Sequence, residues 1–363
     1  MSSAMARPNL HQRRLQTFGT NADDLARAAH KDRIERIHVA TQTSRDADTI
    51  FEAMIKRCHR QLGEGICVTV TAESGAGKSH LLHRLMRKPA LQPSHDEYGP
   101  ITPAIYVQAP SPCDIGSLGR AIYVRLTGQH LASSIKPHEV WRRLLVQLYG
   151  QCVSVLVIDE FHHVIANSDQ EKRNVVVNTI KSLILPEDCP GAVSPSERYP
   201  LQVVLAGIPA LQDVIARDTQ LKRRAPGLPI DPLPNNASGL KRMSGFINAV
   251  EALVGFAKPS DLANFDMTQR FMVASCGYRG RAMHFIKEAA ASAIDRGASC
   301  IDRVDDLAVV FEGLYGLGPS KNPFLVADIQ RCRPVPQQEF GKLTLLRGAQ
   351  LLNDPLGQHG TPT

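Results

Sequence analysis

ICVTVTAESGAGKS, residues 66–79, is the stretch on which the fold turns. Its first six residues are apolar or β-branched and predict a buried strand over 66–71, while the periodic run Lys78–Arg87 predicts a helix. Between them lies the phosphate-loop pattern G-x-x-x-x-G-K-[ST], matched at Gly77, Lys78 and Ser79, with Ala72 in place of the first glycine. The chemistry explains the spacing. A tight turn between strand and helix aims successive backbone N–H groups at one phosphate, and the positive end of the helix dipole adds its attraction. Glu73, Ser74, Gly75, Ala76, Gly77, Lys78, Ser79 and His80 are therefore the candidate nucleotide-binding residues. Lys78 would reach the β- and γ-phosphates of ATP, and Ser79 would offer its hydroxyl to Mg2+. Ala72 is unfavourable only if its backbone needs a positive φ.

Outward from this loop, further strands are predicted at 104–109, 153–158 and 201–206, with helices at 115–126, 138–149 and 171–185 between them. Apolar strands alternating with helices imply an α/β fold with a parallel sheet covered on both faces. Another helix is predicted from Ser44, with Ser44 or Asp46 as its cap. The strand VLVIDE, residues 155–160, ends in two carboxylates, a Walker B pattern. There Asp159 would hold Mg2+, directly or through water, and Glu160 would polarise the attacking water as general base. His162 and His163 follow at once, but no third ligand stands at metal-binding spacing. They read as groups that orient the site or as surface histidines.

Pro226–Ser238 carries four prolines and is the candidate linker. Past it the strand signals cease, and helices are predicted at 239–257, 267–276, 280–296 and 303–315. The expected organisation is a basic arm over 1–35, an α/β nucleotide-binding core over 36–230, a small all-helical lid over 231–317 and an irregular tail over 318–363. The tail, which contains Asn-Pro-Phe at 322–324, is expected to dock on partner proteins, and Cys189–Pro200 to form a surface loop. The eight cysteines include no C-x-x-C pair, which argues against structural zinc and a disulfide scaffold. No apolar run approaches the roughly 20 residues of a membrane span, and the polar N-terminus lacks a secretory h-region, so a cytoplasmic protein with no membrane partner is expected. The 42 Lys and Arg against 35 Asp and Glu give the 363 residues a net charge of +7, which suits a polyanionic partner.

With both nucleotide motifs in place, the chain resembles AAA+ ATPases, and more closely the TniB/TnsC family of transposition regulators. The residues that carry the resemblance are AESGAGKS (72–79), VLVIDEFHHV (155–164), VVLAGIPALQDVIARDTQLKRR (203–224) and GYRGRAMHFIKEAA (277–290). The likeness spans roughly residues 35–315. It implies an ATPase that assembles on double-stranded DNA as a homo-oligomer, a ring or a filament, selects target sites and recruits the transposase and other transposition proteins. It places Arg224, or its neighbour Arg223, where the family offers an arginine to the next subunit's γ-phosphate. It sets Arg281, with Arg279 as the alternate, nearest the sensor-2 arginine of the lid. The chain departs from the pattern after Gly207, where Ile208 replaces the usual polar sensor-1 residue and slow hydrolysis is expected. A replication initiator or loader would normally append a helix-turn-helix reader, for which the residues after Gly318 leave little room. A degenerate nucleotide-binding scaffold is the remaining alternative, opposed by the intact Lys78, Ser79, Asp159 and Glu160.

Overall fold

Strand alternation explains how the central sheet is covered. The computed structural model describes residues 22–61, 63–166, 170–185 and 198–332. Its strands are β1 (Cys67–Thr71), β2 (Ser94–Asp96), β3 (Gly99–Ile101), β4 (Ala104–Gln108), β5 (Val155–Asp159), β6 (Gln202–Gly207) and β7 (Gly227–Pro229). Five of them form one sheet in the order β4-β5-β6-β1-β7, every pairing parallel, while β2 and β3 make a separate antiparallel hairpin. Cys67, Leu156, Ile158, Val203 and Leu205 face one side with the helices Ile115–Thr127, Pro137–Gly150 and Gln170–Ile184. Val68, Val70, Val155, Val157, Val204 and Ala206 face the other, against Gln42–Ile55 and Lys78–Met86. Both faces are therefore apolar, the condition under which a parallel sheet is stable. Each such fully buried Val, Leu or Ile contributes about 1.5–3 kcal/mol relative to exposure.

The described residues divide into two compact units, one of Ala40–Asp231 and one of the residues up to Val39 with those from Pro232 onward. The second unit is helical, with Ala237–Val254, Phe265–Ser275, Arg279–Asp295 and Val309–Tyr315 around a core that includes Met243, Phe271, Phe285 and Phe311. Among the described residues no helix is long and apolar enough to cross a membrane. The described cysteines 58, 67, 113, 152, 276, 300 and 332 are all free.

Several sequence expectations need correction. Residues 22–35, expected within a polar, basic arm of weak periodicity, form a helix, Ala22–Glu35, in the helical unit. Its His30 Nε2 and Arg33 Nη2 bond Val254 O at 2.9 and 3.3 Å, placing basic side chains at the C-terminus of Ala237–Val254, where the helix dipole favours them. The first helix of the other unit is capped by Thr41, not Ser44 or Asp46; Ser44 is the reciprocal partner in a capping box. The expected linker begins with a strand, since Leu228 of β7 is buried beside Val70. Pro229 is tolerated because β7 is an edge strand. Asn322 and Phe324, expected in a docking tail, are both fully buried in the helical core, Asn322 donating to Ala308 O at 2.8 Å. Of the expected loop Cys189–Pro200, residues up to 197 lie outside the described residues, as do 1–21 and 333–363.

Candidate nucleotide-binding site

Three parallel strands, β1, β6 and β5, end side by side, with Thr71 level with Gly207 and Ile158 level with Leu205. Carboxyl ends of parallel strands are where open α/β sheets bind ligands. The Ala72 N–H donates to Gly207 O at 3.1 Å, which ties the start of the loop to β6. Ala72 is buried and is not among the described non-glycine residues with positive φ, so alanine at this position strains nothing. The left-handed turns fall on Gly75 (φ 74°) and Gly77 (φ 107°), where a Cβ would be costly. Gly77 is the N-cap of Lys78–Met86, and no side chain caps that helix. Lys78 is 5% exposed; its Nζ donates to Ala72 O at 3.0 Å and Glu73 O at 3.2 Å.

The two motifs are joined by one short bond. Ser79 Oγ donates to Asp159 Oδ2 at 2.6 Å, Tyr106 OH donates to the same oxygen at 2.9 Å, and the Glu160 N–H donates to Oδ1 at 2.8 Å. Asp159 is 1% exposed. Burial, and then its bond to Asp159, push the Tyr106 phenol above its usual range, so it stays protonated and donates. The donor set fits Mg2+ and a nucleotide. A hydroxyl beside a buried carboxylate supplies the hard oxygens that Mg2+ takes, and the Lys78 ammonium rests on carbonyls that phosphate oxygens could replace.

After Asp159 the chain turns sharply. Glu160 lies in the left-handed region (φ 53°), the Phe161 N–H donates to Ala206 O at 2.8 Å, and the His163 N–H closes on Glu160 O at 3.0 Å. The turn brings together three groups that sequence spacing did not connect: Glu160, His162 and His163 offer ligand atoms all within 4.8 Å of one another. Glu160 thus stands where a third ligand atom could join the two histidines.

The candidate arginines differ in their surroundings. Arg224, at the end of Thr219–Arg224, makes a two-pronged contact with Glu64 through Nε (2.6 Å) and Nη2 and also donates to Gln220 O. That contact holds the Glu64 carboxyl below its usual range. Arg223 is 73% exposed, 4.0 Å from the same carboxylate. In the helical unit, Arg281 is buried with its guanidinium 5.0 Å from the Tyr278 ring centroid. Burial and the nearby Arg242 hold the Arg279 guanidinium below its ordinary value. Elsewhere in the Ala40–Asp231 unit, Arg142 and Arg143 both bond Glu139, whose carboxyl is drawn down to about 2 by these two contacts.

A family model described as "Bacterial TniB protein" matches residues 33–232, more than half of the chain. The chain belongs to the TniB family. No curated protein sequence matches it. Among solved structures, this TniB-family chain is similar to Cdc6p from Pyrobaculum aerophilum, with 13% identity, a TM-score of 0.54 and coverage of 80% of this chain and 75% of that one. It is also similar to the ADP form of the Aeropyrum pernix ORC2 protein, with 12% identity, a TM-score of 0.50 and the same coverages. Both likenesses concern the fold alone.

Two residues beside these groups were not signalled by the sequence. Tyr106 lies inside a predicted strand, and only the parallel register of β4 beside β5, with Gln108 level with Asp159, brings it near the carboxylate. Glu64 is 160 residues from Arg224 in sequence, and no local pattern signals their pairing.

Proposed function

We propose that this chain binds and hydrolyses ATP with Mg2+, assembles as a homo-oligomer on double-stranded DNA, and regulates transposition by selecting target sites and recruiting the transposase. The observation that carries the nucleotide half is the Ser79–Asp159 bond at 2.6 Å, which couples the phosphate loop to the acidic strand end. Lys78 and the amides of residues 73–80 would hold the phosphates, with Lys78 exchanging its two loop carbonyls for phosphate oxygens. Ser79 and Asp159 would hold Mg2+, which screens phosphate charge when bound. Glu160 would take a proton from the attacking water. Arg223 or Arg224 would reach the neighbouring subunit's γ-phosphate, and Arg281 or Arg279 would act from the lid.

TniB membership supports the transposition role. The net charge of +7 supports contact with the phosphate backbone, which has steep salt dependence and weak base readout. Lys78→Ala should abolish ATP binding, measured by titration calorimetry; unchanged affinity refutes the phosphate-loop assignment. Glu160→Gln should bind ATP yet accumulate stalled assemblies on DNA, seen by electron microscopy. Absence of any ATP-dependent assembly on DNA, at low as well as moderate salt, refutes the DNA half.

A further inference from the structure

The turn after β5 holds more than an ATPase needs. Phe161 points its ring into the core, 1% exposed, and thereby leaves Glu160, His162 and His163 together on the other side of the turn. His162 Nδ1 lies 3.1 Å from Glu160 Oε2. That nitrogen is buried from solvent and makes no hydrogen bond, a rare condition for a polar atom. The two imidazole rings stand 4.3 Å apart and are tilted by 42°.

We propose that Glu160, His162 and His163 form a binding site for a divalent transition-metal ion, Zn2+ above all, and that the ion reversibly blocks Glu160. The site itself stands on geometry; its inhibitory effect rests on the reading of Glu160 as the general base. A tetrahedral zinc ion with bonds of about 2.0–2.1 Å needs donor atoms roughly 3.3 Å apart. The Glu160–His162 pair has that separation already, and side-chain rotation closes the remainder for His163. Two nitrogens and one carboxylate, with a fourth position open to water, form a common zinc set. Imidazole selects Zn2+, Co2+ or Ni2+ over Mg2+, whose preferred oxygens are at Ser79 and Asp159. Burial, opposed by the charge of Glu160, holds His162 below the ordinary histidine range. Lys78 and Asp159 also act on His162, a cation and an anion whose effects oppose each other.

Binding would occupy the Glu160 lone pair that a water proton must reach, while Lys78 remains able to hold phosphate. Excess zinc would thus favour an ATP-bound chain that does not turn over.

The test titrates the full nucleotide-free chain with Co2+ and reads the visible d–d absorption of tetrahedral cobalt. One equivalent should bind, be displaced by Zn2+, and lack the near-ultraviolet bands of thiolate ligation that cysteines would give. His163→Ala should weaken binding at least tenfold, and so should His162→Ala; circular dichroism checks that each variant folds. Should His162→Ala fail to fold, His163→Ala and Glu160→Gln carry the comparison. Absence of tetrahedral bands, or bands unchanged in the variants, overturns the site. A second arm adds Zn2+ to the Mg2+–ATP reaction, where half-inhibition should move at least tenfold higher in His163→Ala. Cobalt bound at the site with turnover indifferent to zinc overturns the inhibition. A chain that binds cobalt here yet never hydrolyses ATP overturns the reading of Glu160 and leaves the metal site standing.

Discussion

Removing the Tyr106 hydroxyl tests whether the acidic centre is organised as described. Tyr106→Phe takes away one of three hydrogen bonds to the Asp159 carboxylate, leaving those from Ser79 (2.6 Å) and the Glu160 amide (2.8 Å). The ring keeps its contact with His83 at 5.1 Å between centroids, so packing is preserved and no sizeable cavity opens. A hydrogen bond to a charged group is worth about 1.5–3 kcal/mol net. Tyr106 is only partly buried, so water can replace some of what is lost, and about 1.5–2 kcal/mol is expected. For a unit the size of Ala40–Asp231 each kcal/mol shifts the melting temperature by about 2–4 °C, so the fall should be on the order of 5 °C. Differential scanning calorimetry without nucleotide and with EDTA measures it, on the transition assigned to this unit. A cycle with Asp159→Asn isolates the pair: the coupling should reach about 1 kcal/mol, above the roughly 0.5 kcal/mol of independent sites. Additive losses, or a Tyr106→Phe chain as stable as the wild type, would refute the arrangement.

Other expectations follow from single contacts. Glu64→Ala should change stability by less than about 1 kcal/mol, because Glu64 is half exposed, yet lower the protein concentration for half-maximal ATPase by freeing Arg224; an unchanged concentration dependence counts against Arg224 as the inter-subunit arginine. Acid should open the same contact. Glu64 is held below its ordinary 4.5, so the pair's stabilisation is complete above about that pH and disappears as pH falls through the lowered value, readable by NMR of the Glu64 carboxyl. Asn322→Ala should destabilise the helical unit by about 2–3 kcal/mol, since it strips partners from Ala308 O and the Phe324 amide; wild-type chemical denaturation would place residues 322–324 outside the core. Gly207→Ala would set a Cβ 3.3 Å from the His162 amide nitrogen and displace that backbone by a few tenths of an ångström. Turnover should drop about tenfold with ATP binding retained, and full turnover would show that the turn tolerates the shift.

The legible parts of this chain are those whose signal is local. β1, β4, β5 and β6 are rich in apolar and β-branched residues, and each lies within two residues of its predicted span. The P-loop and acidic pair were readable because their chemistry requires fixed spacing. What escaped depends on distant partners. The helix Ala22–Glu35 offers little apolar periodicity; it is held by polar contacts to Val254 and by the pairing of Lys287 with Glu35, more than 200 residues away in sequence. Strand β7 was hidden by its prolines, which only an edge position permits. The hairpin β2–β3 rests on Asp96 Oδ1 accepting from the amides of Tyr98 and Gly99, a short turn with no apolar flanks to announce it. Thr41 was passed over as a cap because Ser44, its capping-box partner, is an equally good cap residue by type.

Strand β6 carries none of the residues singled out for chemistry, yet it sets their spacing. Its last two carbonyls, Ala206 O and Gly207 O, receive the Phe161 amide at 2.8 Å and the Ala72 amide at 3.1 Å. The phosphate loop and the acidic turn therefore hang from adjacent peptide units of one fully buried strand. A shift of β6 along its axis would move Lys78 and Glu160 together, whereas a twist at Gly207 would separate them. Ile208 stands at the outlet of this strand, where the TniB resemblance leads one to expect a polar side chain. Both backbone ties lie just before that position, at residues 206 and 207, and neither uses its side chain. In this site, then, the two motifs are held together both by the Ser79–Asp159 bond and by main-chain hydrogen bonds to β6, none of which involves the side chain at 208.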